Sequence, residues 1–65
     1  MNIFINQSQI ELTEGATVEM ALALFKPERP FAVALNCKLV HRSSYAEQTL
    51  KEGDQLEVVQ PVAGG

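Results

Sequence analysis

The residues best suited to chemistry are the last two, Gly64 and Gly65, which are half of the four glycines in this 65-residue chain. Glycine lacks a Cβ, so two in succession can thread a narrow tunnel and let another backbone approach closely. A terminal glycine carboxylate is sterically open, but it is an anion at neutral pH and a poor electrophile. Attack on the α-phosphate of ATP would convert it into a reactive acyl-adenylate. Gly15 and Gly53 are isolated turn glycines, so no motif here binds ATP, and activation would belong to a partner.

A second candidate for chemistry is the pair formed by the only cysteine, Cys37, and the only histidine, His41. A Cys/His nucleophile needs a third, orienting group and a concave pocket. One cysteine and one histidine also cannot supply a structural zinc set. We therefore expect Cys37 to be a turn residue and His41 a solvated loop residue, with no catalytic residue, no metal and no cofactor bound by this chain.

Length and charge exclude several classes of protein. A chain of 65 residues forms one domain with a small core. Eight acidic residues against five basic ones give a net charge of -3, which argues against binding to nucleic acid or to an acidic membrane. With a lone cysteine and no targeting or membrane-spanning segment, we expect a cytoplasmic domain.

The first half of the chain predicts a β-hairpin and one helix. Residues 2–6 are rich in β-branched and aromatic residues, and residues 9–12 alternate polar and apolar positions; Ile3, Ile5, Ile10 and Leu12 would form the buried face. Thr17 is a good N-cap, and the helical spacing that follows it predicts one apolar face. That face would comprise Val18, Ala21, Leu22 and Phe25.

The second half predicts further strands. Residues 31–35 form one, the Asn36-Cys37 pair a two-residue turn, and Leu39-Val40 a short return. Residues 41–52 predict an irregular loop or a short helical turn, anchored by Tyr45 and Leu50. Residues 55–60 form the last strand, with Leu56 and Val58 facing inward.

This order of elements predicts an α+β fold of the ubiquitin-like β-grasp type, in which a mixed four- to five-stranded sheet curls around one α-helix. The last strand would lie centrally beside the first. We expect residues 1–60 to form the domain and residues 61–65 to form a flexible tail. Phe4, Ala32, Ala34 and Val59 would face away from the helix and form an apolar docking surface.

The whole chain resembles the ThiS family of sulfur carriers in thiamine (thiazole) biosynthesis, which are ubiquitin-like β-grasp proteins. The similar segments are Val33-Ala34-Leu35-Asn36, Val40 with Arg42-Ser43, Glu52-Gly53-Asp54, Leu56-Glu57-Val58-Val59 and Pro61-Val62-Ala63-Gly64-Gly65.

The resemblance implies that Gly65 is adenylated by a ThiF-like activating enzyme that uses ATP. Gly65 would then become a thiocarboxylate with sulfur from a donor system and pass the sulfur to thiazole synthase, ThiG. Val62, Ala63 and Gly64 would thread the active sites of these partners. Cys37 departs from the family, because a glycine usually completes this turn; a type I′ turn here would require cysteine at positive φ.

Three alternatives remain open at this stage. The same tail would serve a MoaD-like molybdopterin carrier or a ubiquitin-like modifier, and a passive β-grasp interaction module would not need the two glycines at all.

Overall fold

A computed structural model describes residues 1–60 of the chain. Five strands form one mixed sheet in the spatial order β2-β1-β5-β3-β4. The strands are β1 (Asn2–Ile5), β2 (Ser8–Glu11), β3 (Ala32–Leu35), β4 (Lys38–Val40) and β5 (Gln55–Val59). One α-helix, α1 (Val18–Phe25), and a short 3₁₀ helix (Arg42–Ser44) complete the elements. The predicted fold, a sheet around a single helix with the last strand at its centre, is confirmed.

The sheet is mixed because β5 pairs in parallel with β1 and antiparallel with β3. The two hairpins, β1–β2 and β3–β4, flank β5 on either side. β5 therefore has backbone partners along both of its edges, as β1 and β3 also do.

The helix begins and ends where its sequence requires. The Thr17 Oγ1 accepts a hydrogen bond from the Met20 amide at 3.4 Å, as expected of an N-cap. The amides of Val18 and Glu19 donate to the carbonyls of Gln48 and Tyr45 at 2.9 and 3.0 Å, so the 45–50 segment supplies acceptors that the first turn of a helix lacks. At the other end Lys26 adopts the left-handed conformation, and Pro27 follows it.

The core lies between α1 and one face of the sheet. Its buried side chains are Ile3, Ile5, Leu12, Ala16, Val18, Ala21, Leu22, Val33, Val40, Leu50, Leu56 and Val58. Ile10, Leu35 and Tyr45 are partly buried and pack against this cluster, so the anchoring of the 41–52 loop by Tyr45 and Leu50 is confirmed. The prediction for Phe25 was wrong: its side chain is 38% exposed, because the helix ends there and the core beneath the sheet does not extend beyond Leu22.

Both hairpins turn through two residues at positive φ. Asn6 and Gln7 have φ of 47° and 73°, and Asn36 and Cys37 have 49° and 71°. Positive φ at both central residues is the geometry of a type I′ turn, which matches the twist of the flanking strands. Cys37 therefore occupies a left-handed position that glycine would adopt without strain.

Candidate functional site

The candidate site is the end of β5, from which residues 61–65 continue. Val62, Ala63, Gly64 and Gly65, for which we predict roles in threading and covalent carriage, lie outside the described residues. The described part of the site is therefore the base of this segment, Val58 to Gln60, and the elements that hold it. Three contacts hold β5, one from each hairpin turn and one from the loop after α1, and the first and third of them fix this base.

The first contact comes from the β1–β2 turn. The Asn6 side-chain amide donates from Nδ2 to the Val58 carbonyl at 3.0 Å, and its Oδ1 accepts from the Val58 amide at 2.8 Å. The Asn6 backbone amide also donates to the Leu56 carbonyl at 3.1 Å. The side chain thus continues the parallel ladder beyond the last residue of β1, and the backbone of Val58 has partners although β1 has ended.

The second contact mirrors the first at the start of β5. In the β3–β4 turn, the Asn36 Oδ1 accepts from the Gln55 amide at 3.0 Å, and the Asn36 Nδ2 donates to Asp54 Oδ1 at 3.0 Å. Both type I′ turns therefore place an asparagine against the backbone of β5. Asparagine suits this task because it tolerates positive φ and carries both a donor and an acceptor.

The third contact holds the last described residue. The Gln60 Nε2 donates to the Glu28 carbonyl at 2.6 Å, which joins the end of the sheet to the loop between α1 and β3. Gln60, which directly follows β5, is therefore held by this loop.

The sheet surface away from α1, called here the outer face, carries the four residues predicted for docking. Val59 is 54% exposed and lies directly opposite Ala32, which is also exposed. Ala34 is half-buried and lies between Glu57 on β5 and Leu39 on β4. Directly opposed residues in an antiparallel pair have Cβ atoms about 4.5–5.5 Å apart. These side chains therefore form two adjacent rows of one surface.

Phe4 lies on the outer face but in a different row. It is half-buried and pairs with Gln9 and Gln55, at the start of β5. Val59 lies four residues further along β5, roughly 13 Å away at about 3.3 Å per residue. The two strands are neighbours, as predicted, but Phe4 and Val59 are at opposite ends of the face. Only Val59, Ala32 and their neighbours lie at the C-terminal end of β5.

Leu39 and Glu57 also belong to the outer face, and of these two Leu39 was not predicted from the sequence. Leu39 is 64% exposed and pairs with Ala34, and Glu57 places a carboxylate between Ala34 and the β1 side of the sheet. The position of Leu39 could have been predicted from the length of the Asn36-Cys37 turn, because a two-residue turn sets a register in which residues 34 and 39 are paired and lie on the same face.

Cys37 and His41 are both exposed and lie at opposite ends of β4. Over residues 1–60, no three His, Cys, Asp or Glu side chains come together in a way that could hold a metal ion. No helix in the same range is long and apolar enough to cross a membrane.

A five-stranded mixed sheet around one helix, ending in a sequence that continues from the central strand to two glycines, defines a ubiquitin-like β-grasp protein of the carrier and modifier class. The sequence model of the ThiS family matches residues 2–65, and this range includes the terminal glycines. The chain belongs to the ThiS family. The resemblance inferred from the sequence is thereby confirmed.

Two characterised relatives are similar over the whole chain. The sulfur carrier protein ThiS of Escherichia coli (strain K12) is 32% identical over its full length. A thiazole synthase of Paramagnetospirillum magneticum (strain ATCC 700264 / AMB-1) is 36% identical, but this chain spans only 20% of that protein.

Solved structures agree with the fold. The crystal structure of the thiamine biosynthesis protein ThiS from Geobacter metallireducens superposes with a TM-score of 0.82 at 26% identity, and the match covers all of both chains. A solution NMR structure of a thiamine biosynthesis protein from the same organism gives a TM-score of 0.78 at 28% identity, covering all of this chain and 88% of that one.

Proposed function

We propose that this chain is a sulfur carrier for thiamine biosynthesis and that the carboxylate of Gly65 is the group that carries the sulfur. The observation that carries the proposal is the match to the ThiS family through residue 65, so that the Gly64-Gly65 end is part of the similarity. The E. coli relative, named a sulfur carrier protein, is similar over the same full length.

The proposed chemistry takes place in two steps. In the first, a Gly65 carboxylate oxygen attacks the α-phosphate of ATP held by a ThiF-like activating enzyme, and pyrophosphate leaves. In the second, a sulfide-level nucleophile from a sulfur donor system attacks the acyl carbon. The C–S bond forms, the C–O bond to AMP breaks, and the product is a thiocarboxylate. This chain supplies no catalytic residue, so ATP is a cofactor of the partner and not of the carrier.

The acceptor of the sulfur is proposed to be thiazole synthase, ThiG. A thiazole synthase that contains a region similar to this whole chain supports that partner, because carrier and synthase sequences then occur in one polypeptide. The outer face around Val59, Ala32 and Ala34 is proposed as the surface on which partners dock, with Phe4 at its far end. Val59 and Ala32 are exposed at the C-terminal end of β5, with Ala34 half-buried beside them, and exposed apolar surfaces mark interaction sites.

Intact-protein mass spectrometry tests the proposal directly. The purified chain is incubated with ATP, a ThiF-like enzyme and a sulfur donor, and the expected product has one oxygen replaced by sulfur at the C-terminus. Deletion of Gly65 should abolish the product while thermal unfolding stays unchanged, because that residue lies beyond the sheet. Omission of ATP is the matched control.

Other outcomes separate the alternatives. Failure of the wild-type chain to gain sulfur under these conditions would refute the carrier function. Isopeptide linkage of Gly65 to a lysine would instead identify a modifier, and transfer only to a molybdopterin synthase large subunit would identify a MoaD-like carrier. No effect of removing both glycines in the cell would leave a passive interaction module.

A further inference from the structure

A groove separate from most of the outer face opens beside the base of the tail. Its volume is about 670 Å³, and it lies between the C-terminal half of α1, the loop at 26–31 and the junction of β4 with the 3₁₀ helix. Four basic side chains line it, and these define what is called here the basic groove: Lys26, Arg29, His41 and Arg42.

The charge of the basic groove is opposite to that of the chain. Within residues 1–60, three of the five lysines and arginines of the chain line it, whereas Glu19 is the only acidic residue that does so. With His41 neutral the groove carries a net charge of +2, on a chain whose net charge is -3. The remaining surface is therefore strongly acidic, and the positive charge is concentrated at one place, where it would steer an anionic group.

The cations of the groove are available to a partner. Within residues 1–60, none of Lys26, Arg29 and Arg42 lies within 4.0 Å of a carboxylate oxygen. A cation without an internal ion pair loses no existing contact when an external carboxylate arrives. Two of the three are arginines, whose planar guanidinium groups bind carboxylates through two parallel hydrogen bonds.

The apolar lining of the groove includes two aromatic rings that pack against the core. Phe31 and Tyr45 stack with their ring centroids 6.5 Å apart and their planes at 10°, and both rings are half-buried against the core. Leu39 adds an exposed aliphatic side chain at the rim. An occupant with acidic and apolar side chains would match this combination.

The groove lies close to the end of β5, from which residues 61–65 continue. Glu28, which accepts the hydrogen bond from Gln60, lies in the chain between Pro27 and Arg29, and both of these line the groove. Ala32 lines it as well and is the residue opposite Val59. The groove is therefore continuous with the part of the outer face at the C-terminal end of β5. A protein that binds residues 61–65 would therefore also contact the groove.

We propose that the basic groove binds an acidic segment of the partner enzyme that receives the tail. This inference rests on the proposed function, since it requires a partner that engages residues 61–65. Carboxylates of the segment pair with Arg29 and Arg42, and an apolar side chain packs on Leu39 and Phe31. Such pairing accelerates association and adds a salt-dependent part to the affinity.

The test compares two double variants with the same change of charge. Arg29→Gln/Arg42→Gln removes two cations from the groove, and Lys38→Gln/Lys51→Gln removes two that do not line it. The dissociation constant of each is measured by calorimetry against the ThiF-like enzyme and the thiazole synthase of the same organism, at low and high salt. We expect the groove variant to bind at least one enzyme about tenfold or more weakly at low salt, with the difference shrinking at high salt.

The control variant should change the affinity by less than about threefold, as for charges outside the contact. Equal weakening by both variants would show a general effect of net charge and overturn the proposal, and so would unchanged affinity for both enzymes. Titration with inorganic phosphate and with ATP alone is followed by NMR. Shifts confined to the groove at micromolar concentration, abolished by the groove variant, would assign the groove to a phosphate ligand instead of a protein segment.

Failure of this inference and failure of the proposed function give different results. With saturating amounts of activating enzyme the groove variant should still be converted fully to the thiocarboxylate, since Gly65 is intact. The KM of the activating enzyme for this variant should be raised, and the kcat should be unchanged. If the wild-type chain is not converted at all, the carrier function fails. If it is converted, and the groove variant has the same KM with the activating enzyme and the same affinity for the thiazole synthase, only the groove proposal fails.

Discussion

The side chain of Asn6 holds both backbone polar groups of Val58, donating to its carbonyl at 3.0 Å and accepting from its amide at 2.8 Å. The Asn6 side chain thus makes the two hydrogen bonds to Val58 that the backbone of a further β1 residue would otherwise make. Val58 immediately precedes Val59 and Gln60, from which the chain continues to Gly65. The contact therefore links the first hairpin turn to the base of the proposed sulfur-carrying tail.

Asn6→Gly isolates the contribution of this contact. Glycine accepts the positive φ of 47° at residue 6, so the substitution removes the two side-chain hydrogen bonds without adding backbone strain. We expect the free energy of unfolding to fall by about 1–3 kcal/mol, at about 1 kcal/mol for each hydrogen bond and with some cost for the unpaired Val58 groups. Chemical denaturation measures the change. A loss below about 0.5 kcal/mol would contradict a structural role for the contact.

Substitution of the second residue of each hairpin turn by glycine should instead raise the free energy of unfolding. Cys37 and Gln7 have φ of 71° and 73°, and side chains at such positions cost about 1–2 kcal/mol relative to glycine. Neither side chain makes a hydrogen bond within residues 1–60 that glycine would remove. We expect Cys37→Gly and Gln7→Gly each to raise the free energy of unfolding by about 0.5–1 kcal/mol, because the gain in the turn exceeds the added entropy of the unfolded chain. Thermal denaturation would show the rise, and Cys37→Ala, which keeps the strain, should not produce it.

If partners dock on the outer face, substitution of two equally exposed leucines should affect binding differently. Leu39 is 64% exposed on β4 beside Ala34, whereas Leu24 is 63% exposed on α1, on the opposite side of the domain. We expect Leu39→Asp to weaken binding to the activating enzyme by about tenfold or more, because it places a carboxylate in the proposed docking surface. Leu24→Asp should leave binding nearly unchanged. Titration calorimetry gives both affinities, and equal weakening by the two variants would argue against docking on the outer face.

Most of the fold follows from local signals in the sequence. The β-branched and aromatic residues at 2–5, the alternation at 55–58, the Thr17 cap and the two prolines after α1 specify strands and a helix, and a single helix then requires a curled sheet. The failure at Phe25 has a physical cause, since helical spacing predicts a face but not where the facing sheet ends. The asparagine contacts and the basic groove also escape sequence reasoning. Each joins residues far apart in the chain, such as Asn6 with Val58, so it depends on how the hairpins pack around β5.

The final prediction concerns the length of the tail. Residue 60 is fixed to the loop after α1 through the hydrogen bond of Gln60 to Glu28, so the carboxylate of Gly65 can reach at most about 17–18 Å beyond it at 3.3–3.6 Å per residue. One alanine added after Gly65 moves the carboxylate by about 3.5 Å and places a Cβ next to it. A displacement of about 1 Å can cost a hundredfold in rate when groups must be aligned, so we expect thiocarboxylate formation to fall below detection by intact-protein mass spectrometry. The unextended chain, tested in the same assay, serves as the control and should be thiocarboxylated. Normal thiocarboxylation of the extended tail would mean that the partner recognises residues 62–65 without measuring their distance from the sheet.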